Sequence, residues 1–368
     1  MNTLRIAVHP EKNSFSANWI RFFKRRGVAY KLVDCCQSDI LAQLDDCQGL
    51  MWHWHHWDPR AVQFARALSF ALEAAGKKMF PNATAAWHFD DKVAQKYLLE
   101  SLGLPMIPTW VFYSKNQAVR WLETAEFPLV FKLRRGSGSI NVFLLRTRNE
   151  ALRAVKKSFG RGYSVVNRAA FLQDKVRHFR KRRSFVNLKT MLRGIGRLLV
   201  PWPIERILGP ERGYAYFQKF LPGNDFDVRV VVIGGRAFAL RRFVRENDFR
   251  ASGSGNIDYN QEAIDKRCIM TSQKASKLTG MQCCSYDYIF NGRGEPLIVE
   301  MSYGFPVGSF LDDCPGYWTE SLEWVQGPFD AQAFMAEDFL ESLVNSRIRE
   351  KGRSKASEFA ELRIPSPC

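Results

Sequence analysis

Cys283 to Tyr303 reads CCSYDYIFNGRGEPLIVEMSY, and the way this stretch folds decides how the rest of the chain is read. Two runs with β character, Tyr286 to Phe290 and Pro296 to Met301, flank the turn-forming cluster Asn291-Gly292-Arg293-Gly294, the pattern of a hairpin. A turn centred between Arg293 and Gly294 sets Asp287 opposite Glu300, and strand alternation puts Ser302 on the face of Glu300. Facing carboxylates repel unless a positive charge lies between them, and a hard divalent cation such as Mg²⁺ is the usual one. A solvent-facing hairpin with two unrelated acids satisfies the same pattern, and a slip of one residue would turn the acids to opposite faces.

The strands before it carry charges of the complementary kind. In YAYFQKFLPGNDFDVRVVVIGGRAFALRRFVRENDFR, from Tyr214, a strand ends near Gln218 to Leu221 and Pro222-Gly223-Asn224 turns the chain. Asp225 then opens a run that takes Asp227 and Arg229 into VVVI, and the strand returning from Gly234-Gly235 brings back Arg242, with Arg250 beyond it. Arginine forks suit phosphate and carboxylate, although arginines are also common on exposed strands. Further upstream, Phe127 to Leu145 gives strand, Gly/Ser turn and strand. There Gly136-Ser137-Gly138-Ser139 has the composition of a phosphate-cradling loop, with Lys132 just before it. The GK[ST] of a nucleoside-triphosphate P-loop is absent, and a glycine-rich hairpin with no ligand remains an open reading.

Residues 3 to about 81 alternate strand and helix, which implies a small parallel sheet covered on both faces. No GxGxxG opens the first helix, so a dinucleotide site is not indicated. After the third strand comes Trp52-His53-Trp54-His55-His56-Trp57. Aromatic packing is the first reading of this cluster, and a place at a substrate mouth is the second, because ligands of open α/β sheets gather at strand C-termini. No acid or cysteine within the cluster completes a metal set. Asp90-Asp91-Lys92 then starts an amphipathic helix that closes before Gly103, Pro105 and Pro108.

With 368 residues, 46% of them hydrophobic, the chain can bury a large core divided among two or three subdomains. It has no run of about 18 apolar residues and no signal-peptide order at its start, which leads us to expect a cytoplasmic protein. Its eight cysteines show no zinc or CxxC spacing and are expected as buried thiols. More than half of the net charge of +17 falls in residues 161–212, where thirteen Lys or Arg face three acids. Apolar residues at helical spacing interleave there, which suits an anionic membrane surface or an acidic polymer, or else a helical arm with a merely solvated face. No nucleic-acid-binding motif accompanies the charge.

Taken in order, these stretches resemble the ATP-grasp superfamily of carboxylate-amine ligases, in particular the branch of bacterial glutathione synthetase and the ribosomal-protein glutamate ligases. The likeness covers about residues 1–310. It implies an α/β (α+β) chain: an N-terminal parallel-sheet domain (1–90) and two α+β lobes enclosing a nucleotide. The small lobe (91–212) would carry a basic insertion at 161–212, the large lobe (213–330) the metal site, and 331–368 a C-terminal helix and mobile tail. Carried over by position, Lys92 and Lys132 match phosphate-holding lysines, and Gly136, Ser137, Gly138 and Ser139 match the flap over them. Gln218, Lys219, Phe220 and Leu221 match the adenine hinge, and Asp225 the acid that binds ribose. Arg229, Arg242 and Arg250 match catalytic arginines, and Asp287 and Glu300 match ligands for one or two Mg²⁺ ions. The family's third ligand is usually an asparagine, and here Ser302 stands in its place.

The implied activity is ATP-dependent joining of a carboxylate to an amine through an acyl phosphate. Transfer of the phosphoryl group needs positioning and charge neutralisation rather than a covalent nucleophile, which agrees with the lack of any Ser/His/Asp or Cys/His arrangement. The basic charge adds the expectation of an acidic substrate such as a cell-envelope glycan precursor, at the inner face of the membrane. The alternatives are an ATP-binding module with weakened catalysis, or a kinase-like phosphotransferase on the same nucleotide site.

Overall fold

A computed structural model describes residues 4–12, 14–136, 141–168, 176, 200–245, 248–251, 255–306 and 313–361. The N-terminal strands β1 (Arg5–Val8), β2 (Ala29–Leu32), β3 (Gly49–Met51) and β4 (Lys78–Phe80) form a parallel sheet in the order β2-β1-β3-β4. Crossover helices α1 (Ser16–Arg26), α2 (Ile40–Gln43) and α3 (Pro59–Ala74) join them. Ile6, Ala7 and Val8 are fully buried in succession, which an alternating half-exposed strand would not allow; both faces of the sheet are covered. Asp58 caps α3 by accepting the N–H of Arg60, and Gly27 ends α1 in the left-handed region at φ 63°.

Two helices, α4 (Ala83–Trp87) and α5 (Lys92–Ser101), lead into the second sheet. Asp91 caps α5 by accepting from the N–H of Ala94 at 3.0 Å, so Lys92 is the first residue of that helix. Strand β5 (Thr109–Phe112), helix α6 (Lys115–Trp121), strands β6 (Leu129–Lys132) and β7 (Val142–Leu145), helix α7 (Arg148–Ser158), strand β8 (Tyr163–Ser164), helix α8 (Pro203–Leu208), strand β9 (Pro210–Glu211) and strand β10 (Ala215–Lys219) follow. The second sheet runs β5-β10-β6-β7 and is antiparallel throughout. Ala215–Lys219 therefore pairs inside this sheet, whereas chain order had put residues from 213 onward with the large lobe.

Strands β11 (Phe226–Ile233), β12 (Arg236–Phe243), β13 (Ile257–Asp258), β14 (Cys283–Phe290), β15 (Pro296–Ser302), β16 (Gly316–Trp318) and β17 (Trp324–Gln326) make the third sheet. Helix α9 (Lys266–Thr279) covers one face of it: the hydroxyls of Tyr286 and Tyr288 pair with Ser276 and Ser272 of α9 at 2.9 and 2.8 Å. Alternation then turns Ser285, Asp287 and Ile289 to the opposite face, which lines the central cleft. Ile107 and Pro105 bond to the main chain of Ile298, so the linker after α5 runs beside the β15 edge. Helix α10 (Ala331–Glu361) returns to the N-terminal domain, where Phe339 presses so close that a Cβ at Gly49 would stand 2.7 Å from its ring. Residues 362–368, the end of the tail expected after the C-terminal helix, lie outside the described residues.

The β14–β15 hairpin differs from expectation near its tip. Phe290, Ile289 and Tyr288 face Pro296, Leu297 and Ile298, one residue off a turn centred between Arg293 and Gly294. A bulge between Asp287 and Tyr288 absorbs the offset, and Asp287 is opposite Glu300 and Ser285 opposite Ser302.

Candidate active site

The two lobe sheets and the N-terminal domain enclose a cleft of about 1480 Å³. Every described residue named from the sequence as a site residue lines it: Lys92, Lys132, Gly136, Gln218, Lys219, Phe220, Leu221, Asp225, Arg229, Arg242, Arg250, Asp287, Glu300 and Ser302. Ser137, Gly138 and Ser139 lie outside the described residues, as do 169–175 and 177–199, the greater part of the basic insertion.

On the small-lobe side, β6 ends at Lys132, opposite Tyr216 of β10 and Val142 of β7. Its side chain is buried, and among the described residues no carboxylate or carbonyl oxygen pairs with its ammonium. Burial pushes the ammonium down to about 8; Lys92 adds to the shift and Glu300 opposes it. Lys92 reaches across from α5, with Nζ 2.6 Å from the carbonyl oxygen of Gly136 and 3.1 Å from Glu300 Oε1. Although burial works against its charge, Glu300 and Asp90 outweigh burial and hold Lys92 above the ordinary lysine range. Asp90 accepts the N–H of Gly136 at 2.8 Å, so both polar groups of Gly136 are held from the N-terminal end of α5. Asp90 is a non-glycine residue at φ 52°, and burial raises its carboxyl to about 6.

The floor is the crossing from β10 to β11. Gln218 is buried and donates to Thr109 Oγ1 at 3.2 Å. The ammonium of Lys219 turns outward to Glu126 at 3.3 Å, which leaves the main chain as its contribution to the cleft. Phe220 meets Phe249 edge to face, and Asn224 ties the crossing to β14 through a pair of bonds with the main chain of Phe290 at 2.9 and 2.8 Å.

The large-lobe wall is a closed network of charge. Asp287 accepts from Arg229 Nε and Nη2 at 2.7 and 2.8 Å and from Arg242 Nη2 at 2.8 Å. Arg242 also forks onto Asp227 at 2.7 and 2.6 Å. Burial alone would raise the Asp287 carboxyl, but the two guanidinium groups hold it far below the usual carboxylate range. Arg250 is likewise bidentate on Asp248. The sequence places these arginines where they could meet phosphate or carboxylate groups, and the structure gives each a carboxylate partner within the chain. The Ser302 hydroxyl donates to Gly304 O at 2.8 Å and accepts the Gly304 N–H at 3.2 Å, which engages it with its own turn.

Arg229 and Arg242 bring positive charge to Asp287, and Lys92 brings it to Glu300. Two carboxylates and a hydroxyl are nonetheless hard oxygen donors, which suit Mg²⁺, an ion often held by one or two carboxylates together with substrate phosphates. Among the described residues no three His, Cys, Asp or Glu side chains come together as a protein-only metal site. No described helix is long and apolar enough to cross a membrane.

Asp90, Asp227 and Asn224 were not named from the sequence as site residues. Asp227 was legible in part, since it alternates with Arg229 toward the face of Asp287; the left-handed backbone of Asp90 and the reach of Asn224 to β14 leave no mark in residue spacing.

No family model and no curated protein sequence matches the chain. Solved structures do. A RimK-domain ATP-grasp protein from Sphaerobacter thermophilus is 15% identical, with 91% of this chain and 98% of that one covered at a TM-score of 0.50. A D-alanine–D-alanine ligase from Bacillus anthracis is 13% identical, with 95% and 100% covered at 0.54. The ATP-grasp ligase PsnB, solved with a minimal precursor, Mg and ADP, is 13% identical, with 92% and 98% covered at 0.53. With its cleft between two antiparallel sheets and a parallel-sheet domain in front, the chain has the ATP-grasp fold.

Proposed function

We propose that the protein is an ATP-dependent ligase that activates a carboxylate as an acyl phosphate and joins it to an amine. The observation that carries this reading is Lys132, a buried lysine whose ammonium feels Glu300 and Asp287 but makes no direct ion pair among the described residues, at the wall of a cleft large enough for a nucleotide and a second substrate. A buried cation is costly unless paired, and a phosphate group is an anion suited to pair with it. Lys92, now on Gly136 and Glu300, is the second cation within reach. The adenine would lie along Gln218 to Leu221, with Asp225 toward the ribose hydroxyls.

In this reading the residues of the chain supply charge and position. Lys132 and Lys92 neutralise the phosphoryl group as it passes to the acid, which is where electrostatic catalysis acts. Asp287 and Glu300 would hold Mg²⁺, which when bound neutralises phosphate charge and orients the phosphates. Arg229 and Arg242 hold Asp287 ionised for that purpose and shield it from Asp227. The neighbours' ligase names and the ADP and Mg in one of them support the class of reaction, and the acidic-glycan substrate rests on the basic charge of the chain.

The test is ATP turnover with Mg²⁺ and hydroxylamine over a panel of amino acids and uronic acids. ADP release and a hydroxamate that both depend on one acid would support the ligase; ATP binding without acid-dependent ADP release would remove it. The second reading, a nucleotide-binding module with weakened catalysis, is favoured by the engagement of Ser302 with Gly304 and of Asp287 with two arginines. It predicts nucleotide binding with no turnover on any acid.

A further inference from the structure

The Trp/His cluster after β3 has chemistry that the nucleotide half of the cleft does not use. His55 lines the cleft, and its Nε2 stands 3.6 Å from Glu11 Oε1, on the loop after β1. That gap is too long for a hydrogen bond between the two, and short enough for one donor group to reach both. Glu11 Oε2 and His55 Nδ1 are buried without a hydrogen-bond partner among the described residues, so the pair is under-satisfied. The loop is held in place: the Ser16 hydroxyl accepts the Glu11 N–H at 3.0 Å and donates to its carbonyl at 3.1 Å. His53, by contrast, is a packing residue, stacked on Phe15 at 3.6 Å and accepting the Phe15 N–H.

The place of the pair is informative. It lies at the C-terminal ends of β1 and β3, where open parallel sheets bind ligands. His55 and the adjoining His56 line the same cleft as Lys92 and Glu300. The groups around Glu11 are His55 and Asp58 from the β3–α3 turn, Arg60 from the first turn of α3 and Tyr303 from the large lobe. Burial raises the Glu11 carboxyl to about 7, with Asp58 adding to the shift and Arg60 opposing it. A base that titrates near the working pH is matched to proton abstraction.

We propose that Glu11, with His55 beside it, receives the ammonium group of the amine substrate and takes its proton. The inference rests on the ligase reading. One proton passes from the ammonium to Glu11, and the freed nitrogen lone pair forms the C–N bond at the acyl carbon. The bond from that carbon to the phosphate oxygen breaks with its electron pair, and the second proton of the new amide nitrogen leaves with the phosphate.

The test compares wild type with Glu11→Gln on an acid that supports turnover, with hydroxylamine or an amino acid as the nucleophile. Hydroxylamine is already neutral at pH 7 and needs no base. Glu11→Gln is expected to keep hydroxamate formation and to lose amide formation by on the order of 10²–10⁴-fold. The rise of the wild-type amide rate through about pH 7 should disappear in the variant. Undiminished amide formation in Glu11→Gln would overturn the inference, and so would a parallel loss of hydroxamate, since that marks a structural role. Lack of hydroxamate from the wild type on every acid would instead remove the ligase reading, and this inference with it.

Discussion

The two walls of the cleft handle buried charge in opposite ways. On the large-lobe wall, Asp227, Arg242, Asp287 and Arg229 form a chain in which each charge has a fork-to-carboxylate partner. On the small-lobe wall, Lys132 is just as deeply placed and has no such partner among the described residues. A closed network rigidifies a wall, and an open cation holds a place for an anion; the difference separates what keeps the lobe folded from what awaits a ligand.

Removing a charge on each side breaks the comparison most directly. Arg242→Met leaves the largely buried Asp227 without its fork and Asp287 with Arg229 alone, and should cost about 3–5 kcal/mol of stability, read from the denaturant midpoint. A loss below about 1 kcal/mol would mean that the network is not closed in solution. Lys132→Met should behave the other way. It removes a buried charge that has no direct ion pair among the described residues, so stability should hold or rise, while affinity for an ATP analogue falls by about 1.5–3 kcal/mol, ten- to hundredfold, in a calorimetric titration.

The pH dependence sharpens the same contrast. Lys132 titrates near 8 in the fold and near the ordinary lysine value of about 10.5 when unfolded. Between these values the unfolded chain binds more protons, so stability should rise with pH across that window, and the rise should be missing in Lys132→Met. Nucleotide affinity should move oppositely and weaken as pH climbs through about 8, because phosphate needs the protonated lysine. The smallest expected effect is that of Ser302→Asn. It should lower the Mg²⁺ concentration needed for half-maximal turnover, at a cost of about 1 kcal/mol for the lost bonds to Gly304. An unchanged Mg²⁺ requirement would take position 302 out of the metal site.

Much of this frame could be read from residue order. Strand–helix alternation over residues 3–81 forecasts the parallel sheet, and the pairing of Asp287 with Glu300 follows from the hairpin arithmetic. The register at the tip did not follow, because the bulge beside Asp287 shifts Tyr288 to Phe290 by one residue, and a bulge is a matter of backbone packing. Lys92 and Lys132 stand out as lysines beside turn signals, yet nothing in their spacing says that one is engaged with Glu300 and Gly136 while the other is left open. The arginines illustrate the limit most clearly. Alternation places Arg229 and Arg242 on the right face, but only the three-strand register sets Asp227 against Arg242 and brings Asp287 against both arginines. Glu11 and His55, 44 positions apart, meet only because β1 and β3 are neighbours in the sheet.

A crystal structure of the chain with a nonhydrolysable ATP analogue and Mg²⁺ bears on all of this at once. The expected result is a triphosphate whose oxygens lie within hydrogen-bonding distance of Lys132 and Lys92, with the ion between those oxygens and the carboxylates of Asp287 and Glu300. A nucleotide bound elsewhere, or in the cleft with Lys132 still unpaired, would contradict it.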